Sequence, residues 1–263
     1  MVEAGEVCLI LLSFKDHPRY PLLLAANRDE FYERPSAPVS FWHETPNILA
    51  GMDMKSGGTW LGITRKGRIA ALTNYRDPAS FKDNAPSRGW LVGEYLAGQE
   101  NPKQYLKRIA PRADRYNGFS LIVGDVSRLY CFSNRGKNVT ELSPGLYGLS
   151  NHLLDTPWPK VERGKKALAS FLDETEALDF ENIFKILSDR SRADDDRLPD
   201  TGVGLEWERI LSSVFIESPS YGTRTSTVLT VDRKDNVVLE ERSFNSCFLP
   251  WMAGRFEFRI QRH

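Results

Sequence analysis

Strand-forming segments at both ends of the chain, a helical middle and no glycine-rich phosphate loop predict an α+β protein. Its mainly antiparallel or mixed sheets are covered by helices, and it is not a βαβ nucleotide fold. The 263 residues fit one large domain spanning 1–263. With 41% hydrophobic and 27% charged residues, the chain has enough apolar material for a packed core.

The first segment read as a hairpin joins apolar, extended residues 7–14 and 20–27 across Lys15-Asp16-His17-Pro18-Arg19, a turn sequence. If the hairpin is symmetric, opposed positions sum to about 35 and Cys8 lies across from Asn27. Arg28 and Asp29 then follow at the same end of the sheet. A second hairpin joins residues 57–63 to 68–74 across Arg65-Lys66-Gly67, with Asn74 near Gly58 at its open end. A third pairs 119–124 with 129–132. Helices are expected over 90–97, 103–109, 159–171 and 180–188, with Pro159 suited to a first helical turn. Residues 190–199 read as a solvated loop. Strands return at 226–231, 237–241 and 255–260, the last strictly alternating as a half-exposed strand does. Gly57-Gly58 marks a close backbone approach.

Thirty-five basic and 35 acidic residues leave no net charge and no basic bias toward nucleic acid. No apolar run nears the ~18 residues of a membrane span. The acidic start Met1-Val2-Glu3 is no secretory signal, and Cys8, Cys131 and Cys247 are odd in number and far apart. A reducing, cytoplasmic location without a disulfide framework is therefore expected. The histidines and cysteines show no zinc spacing.

Cleavage of an amide or thioester needs a nucleophile, a base and donors for an oxyanion. Cys8 is the candidate nucleophile, and a neighbouring Arg28 would favour its thiolate. Asp29 would hold Arg28 or an amine in place. Asn74 and Asn151, at expected strand ends, would donate side-chain N–H groups. Arg224, within Tyr221-Gly222-Thr223-Arg224, would neutralise charge beside them. His152 is a candidate ligand or base. Each residue also has a plainer reading. A cysteine opening an apolar strand packs, Arg-Asp-Glu after a strand is a solvated turn, and strand-end Asn residues make turns. A single His is satisfied in place, and Trp60 and Trp158 wall a pocket or core.

The run Ala25-Ala26-Asn27-Arg28-Asp29-Glu30-Phe31-Tyr32-Glu33-Arg34-Pro35 resembles the hallmark of the NRDE family of transport-and-Golgi-organisation-2-like proteins. The resemblance continues in order through Gly57-Gly58-Thr59-Trp60-Leu61-Gly62, Ala71-Leu72-Thr73-Asn74-Tyr75, Tyr116-Asn117-Gly118-Phe119, Tyr147-Gly148-Leu149-Ser150-Asn151, Thr156-Pro157-Trp158 and Tyr221-Gly222-Thr223-Arg224-Thr225. It implies the four-layer αββα sandwich of the N-terminal-nucleophile hydrolases. Within that group the family is similar to the cysteine-type acylases that cleave penicillin V and conjugated bile acids. There an N-terminal Cys attacks an amide and its own α-amine is the base. By this resemblance Cys8 takes the nucleophile position, and Arg28 and Asp29 lie near the flanking Arg and Asp, which the acylases space further apart. Asn74 and Asn151 match the oxyanion positions and Arg224 a distal Arg. Residues 1–7 form an extension before Cys8. While it remains, Cys8 has no α-amine to act as base. The family is also implicated in haem trafficking and in lipid or acyl-CoA homeostasis, so the same pocket has a second, non-catalytic reading. No cofactor is required by either reading. Haem would be cargo, held through His152, His43 or a Cys, since the chain has no Cys-x-x-Cys-His. The expected partner is a small acyl or haem ligand.

Overall fold

The computed structural model describes residues 7–175, 177–245 and 250–262. Met1–Glu6 and Cys247 lie outside the described residues. One sheet holds six strands: β1 (Val7–Phe14), β2 (Leu22–Phe31), β10 (Gly145–Leu149), β11 (Tyr221–Val231), β12 (Asn236–Phe244) and β13 (Pro250–Arg259), in the order β10-β1-β2-β11-β12-β13. The other holds seven strands in sequence order: β3 (Ser36–Phe41), β4 (Ile48–Asp53), β5 (Leu61–Thr64), β6 (Ile69–Asn74), β7 (Phe119–Gly124), β8 (Leu129–Ser133) and β9 (Val139–Glu141). The helices are α1 (Gly89–Ala97), α2 (Pro102–Ile109), α3 (Pro159–Glu174), α4 (Phe180–Leu187) and α5 (Leu205–Leu211).

The layering follows from which residues alternate along each strand. On β1 and β2, Ile10, Leu12, Leu24 and Ala26 meet Leu49, Ile63, Ala71 and Ile122 of the second sheet to form the central core. Their neighbours Leu9, Leu11, Leu23 and Ala25 face the other way, against Val161 and Leu168 of α3 and Phe184 and Leu187 of α4. The outer face of the second sheet, with Ala70, Leu72, Leu121 and Val123, packs on Leu91 and Tyr95 of α1 and Leu106 of α2. The result is helices, sheet, sheet, helices: the αββα sandwich. Local chemistry sets two helix starts. The Asn101 side chain accepts the Gln104 N–H at 2.9 Å before Pro102, and the Asp179 side chain accepts the Glu181 N–H at 3.0 Å. Among the described residues no helix is long and apolar enough to cross a membrane.

The second and third hairpins have the expected pairing; Leu61 opposes Ala71 and Ile122 opposes Cys131. The first is corrected by one residue: Cys8 opposes Arg28, and Asn27 opposes Leu9. The turn closes late. The Lys15 N–H donates to Pro21 O at 2.8 Å, with Lys15 itself at φ +51°. Because side chains alternate, a one-residue slip moves each of them to the other face of the sheet. Here it puts Arg28 on the face of Cys8 and sends Asp29 to the opposite one. β2 also runs to Phe31, so Arg28-Asp29-Glu30 is strand, not a solvated turn. Gly58 is at φ +78°, and a Cβ there would stand 2.4 Å from the Gly89 carbonyl carbon, which is the close approach to the start of α1 that the glycine pair implied.

Candidate functional site

Cys8 and Arg28 share a rung of the β1–β2 ladder, so both side chains point between the two sheets. Cys8 is 5% exposed. Hydrogen bonds bring the other strand ends to it. The Ser150 hydroxyl donates to Cys8 O at 2.9 Å, and the Thr73 hydroxyl donates to Ser150 O at 2.6 Å. Asn151 Nδ2 donates to Asn74 O at 3.0 Å. Cys8, Asn74 and Asn151, from two different sheets, thus meet at one end of the sandwich.

Arg28 is buried in an alternating row of charge. Its guanidinium lies 4.4 Å from the Trp60 ring centroid, and its Nη2 is 3.7 Å from Glu30 Oε2. Glu30 Oε2 is 3.4 Å from Arg34 Nε, and Arg34 Nη2 is 2.6 Å from Asp53 Oδ2. Asp29 belongs to the helix side of the sheet, where it accepts the Thr223 hydroxyl at 2.6 Å and comes under the charge of Lys160. Burial pushes the Asp29 carboxyl up and the Lys160 amine down, and the attraction between them partly offsets both shifts.

Asn27 is fully occupied. Its Nδ2 donates to Leu187 O and Val214 O, both at 2.8 Å, and its Oδ1 accepts the Ser226 hydroxyl at 2.6 Å. It ties β2 to the end of α4. Arg224 occupies the register shift between β2 and β11, where the ladder passes from Thr223 opposite Asp29 to Thr225 opposite Arg28. A bulge re-aims the extra side chain. Arg224 Nη1 donates to the carbonyls of Phe31, Tyr32 and Arg34 at 2.9, 3.1 and 3.1 Å, holding the segment that follows β2.

Glu241 was not among the residues read from the sequence. It is buried between the sheets, accepting the Val39 N–H at 2.8 Å from the opposite sheet and the Thr227 hydroxyl at 3.0 Å. Burial is the main cause raising its carboxyl from the ordinary 4.5 to about 7; Arg28 opposes the shift. Such a group is protonated in both states at low pH and weakens the fold as pH rises through the window between those values. Glu241→Gln keeps an acceptor for Val39 and removes the ionisation. At about pH 8 the variant is therefore expected to be more stable than the parent by up to about 3 kcal/mol. The gain disappears below about pH 4.5, and urea unfolding across that range measures it.

A cleft of about 900 Å³ opens beside this cluster. Glu30, Arg34, Asp53 and Trp60 form part of its wall, and Lys55, Lys82, Arg88, Phe81 and Trp90 also line it. Trp90 is 57% exposed. Arg28 stacks on the Trp60 ring, behind the lining. A smaller recess of about 30 Å³ contains Asn74 and Asn151, and Phe81, Arg88 and Asn117 border both spaces. His152 sits near the recess with both ring nitrogens engaged: Nε2 is 2.6 Å from the Tyr75 hydroxyl and Nδ1 is 2.8 Å from the Thr156 hydroxyl. A metal or haem iron would have to displace one of them. His43 is exposed beyond the end of β3. Among the described residues no group of three or more His, Cys, Asp or Glu is placed to hold a metal ion.

Lys160 and the pair Arg76–Glu208, 2.7 Å apart, were likewise missed. Lys160 carried a legible signal: it shares the buried stripe of α3 with Gly164 and Leu168, at helical spacing of four. Glu241 falls in step with the inward residues Val237, Leu239 and Ser243 of β12. Arg76 and Glu208 come together only through closure of the fold.

The fold is similar to that of a mutant of conjugated bile acid hydrolase from Clostridium perfringens, with a TM-score of 0.52 over 96% of this chain and 92% of that one, at 10% identity. The chain is 40% identical over 276 aligned positions to the Transport and Golgi organization protein 2 homolog of Bos taurus, covering 97% of this chain and 100% of that protein. It is 39% identical to the Homo sapiens homolog over the same span. The family model for Transport and Golgi organisation 2 (TANGO2) matches residues 7–246, a stretch that begins one residue before Cys8 and takes in each residue of the site. The chain belongs to the Transport and Golgi organisation 2 family.

Proposed function

We propose that the chain is a cysteine-dependent hydrolase of an amide or thioester bond in an acyl substrate. The observation that carries this reading is the rung that sets Cys8 opposite Arg28, with Asn74 and Asn151 tied to the same end of the sandwich. A buried guanidinium beside a thiol favours the thiolate. Two asparagine residues lining a recess are suited to receive the negative charge that develops on a carbonyl oxygen. The cleft bordering that recess has the volume of a small-molecule site and supplies aromatic surface for an acyl chain and basic groups for a charged head. The test is turnover of a panel of acyl amides and acyl thioesters by the intact chain and by a chain beginning at Cys8. Hydrolysis of at least one member, blocked by prior alkylation, supports the reading; no turnover by either form opposes it.

A second reading, a carrier of haem or of a lipid or acyl-CoA ligand, is favoured by one observation. Cys8 is nearly buried and does not line the large cleft, so a ligand can occupy the cleft without touching sulfur. Saturable ligand binding that survives Cys8→Ala, without turnover, is its expected signature.

A further inference from the structure

Trp90 stands in the first turn of α1, whose buried residues include Leu91, Val92, Tyr95 and Leu96. Those four fasten the helix to the outer face of the second sheet, so its packing does not need an indole at position 90. The Trp90 side chain instead lines the large cleft and is more than half exposed there.

The ring is nevertheless held in one orientation. Its Nε1–H donates to Ser56 O at 3.1 Å. A Cβ on Gly57 would stand 2.7 Å from Trp90 Cζ2 and 3.3 Å from Cε2, so the indole lies where the absence of a side chain makes room for it. Gly57 is at φ +70°, and its N–H donates to Asp53 O at 2.9 Å to close the turn. Arg34 Nη2 donates to the Ser56 hydroxyl at 3.0 Å, which ties this turn to the row of buried charge. The glycine pair therefore has two tasks. Gly58 admits the Gly89 carbonyl at the start of α1, and Gly57 seats the Trp90 ring.

An aromatic ring fixed in place yet open on a cleft offers contact area to a ligand at little cost in ordering. Phe81, 42% exposed, lines the same cleft and also borders the Asn74–Asn151 recess. Trp60, Leu72 and Pro86 continue the apolar lining. An apolar chain whose carbonyl lies in the recess would run past Phe81 into the cleft that Trp90 walls. At about 900 Å³ the cleft is near the upper end of small-molecule sites, and a short acyl group would leave most of it to water.

We propose that Trp90, seated on Gly57, is a specificity-determining residue that selects long acyl chains over short ones. The inference rests on the hydrolase reading above, with the carbonyl in the recess and the acyl chain in the cleft. Each further methylene laid against the lining leaves water, so the preference grows with chain length until the indole face is covered.

The test compares the intact parent chain with Trp90→Ala and Trp90→Phe on acyl thioesters from butanoyl to dodecanoyl that share one leaving group. The parent should prefer dodecanoyl to butanoyl by at least about 10²-fold in kcat/KM. Trp90→Ala should cut that ratio at least about tenfold. Trp90→Phe keeps a ring but loses the bond to Ser56 O, so its ratio should fall between the two. Urea unfolding checks that the variants fold, and Trp90→Phe carries the test if Trp90→Ala does not. Calorimetric titration of dodecanoic acid below its micelle concentration needs no turnover, and its Kd should rise at least about tenfold in Trp90→Ala. A length preference or a dodecanoic acid affinity that is the same in parent and variant overturns the proposal, as does a parent that turns over the series without preference. Trp90-dependent binding of dodecanoic acid without turnover of any thioester would instead count against the hydrolase reading alone.

Discussion

Cys8→Ala is expected to leave a folded protein whose hydrolysis of acyl amides or thioesters falls by at least about 10³-fold. The substitution removes one sulfur from a position that is 5% exposed, at a stability cost of about 1 kcal/mol, so loss of rate and loss of fold are separable. What remains is the contribution of binding and of the Asn74–Asn151 recess, which does not depend on sulfur. Cys8→Ser keeps the size of the group and replaces a thiol with a far weaker acid, so it should fall nearly as far as alanine. Steady-state turnover alongside urea unfolding of the same preparations checks both statements. A Cys8→Ala protein with parental turnover would remove the nucleophile from the account.

Arg28→Met should give the largest loss of stability in the site, about 3–5 kcal/mol. The guanidinium is buried on Trp60 and faces Glu30 at 3.7 Å, and its charge also acts on Asp29 and Glu241. Met fills much of the volume but leaves those carboxylates without their shared cation. The sign of the pH dependence follows. Without Arg28 the buried carboxyls bind protons more tightly, so the deficit is greatest above about pH 7 and shrinks as acid protonates them. Unfolding at about pH 7.5 and about pH 5.5 measures the difference. Arg28→Lys keeps the charge but loses the planar stacking face, so it should recover only part of the loss. Equal stability of Arg28→Met and the parent at both values would mean that the row of charge is not what holds this end of β2.

Much of this arrangement can be read from residue pattern, and the exceptions have physical causes. The second hairpin paired as its short turn dictates, because Arg65-Lys66-Gly67 leaves little choice of register. The first hairpin slipped by one because the seven residues from Lys15 to Pro21 close asymmetrically, and that slip decides which of Arg28 and Asp29 shares a face with the sulfur. β3 carries Pro38 at a register irregularity, and α5 has only seven residues, so neither shows a clean period. Lys160 and Glu241 were legible in principle as charges on apolar faces. Their roles depend on partners from distant strands, which no local spacing reveals. His152 drew notice as a lone imidazole, but its contacts with Tyr75 and Thr156 fill both nitrogens.

The thiol chemistry is tested most directly by trapping the acyl group in transit. The protein is mixed with an excess of an acyl thioester, quenched in acid within its first turnovers and digested for peptide mass spectrometry. The expected result is the added mass of the acyl group on the peptide carrying Cys8, absent from the Cys8→Ala protein. Substrate consumed at the parental rate while that peptide stays unmodified at every quench time would contradict a covalent role for this sulfur.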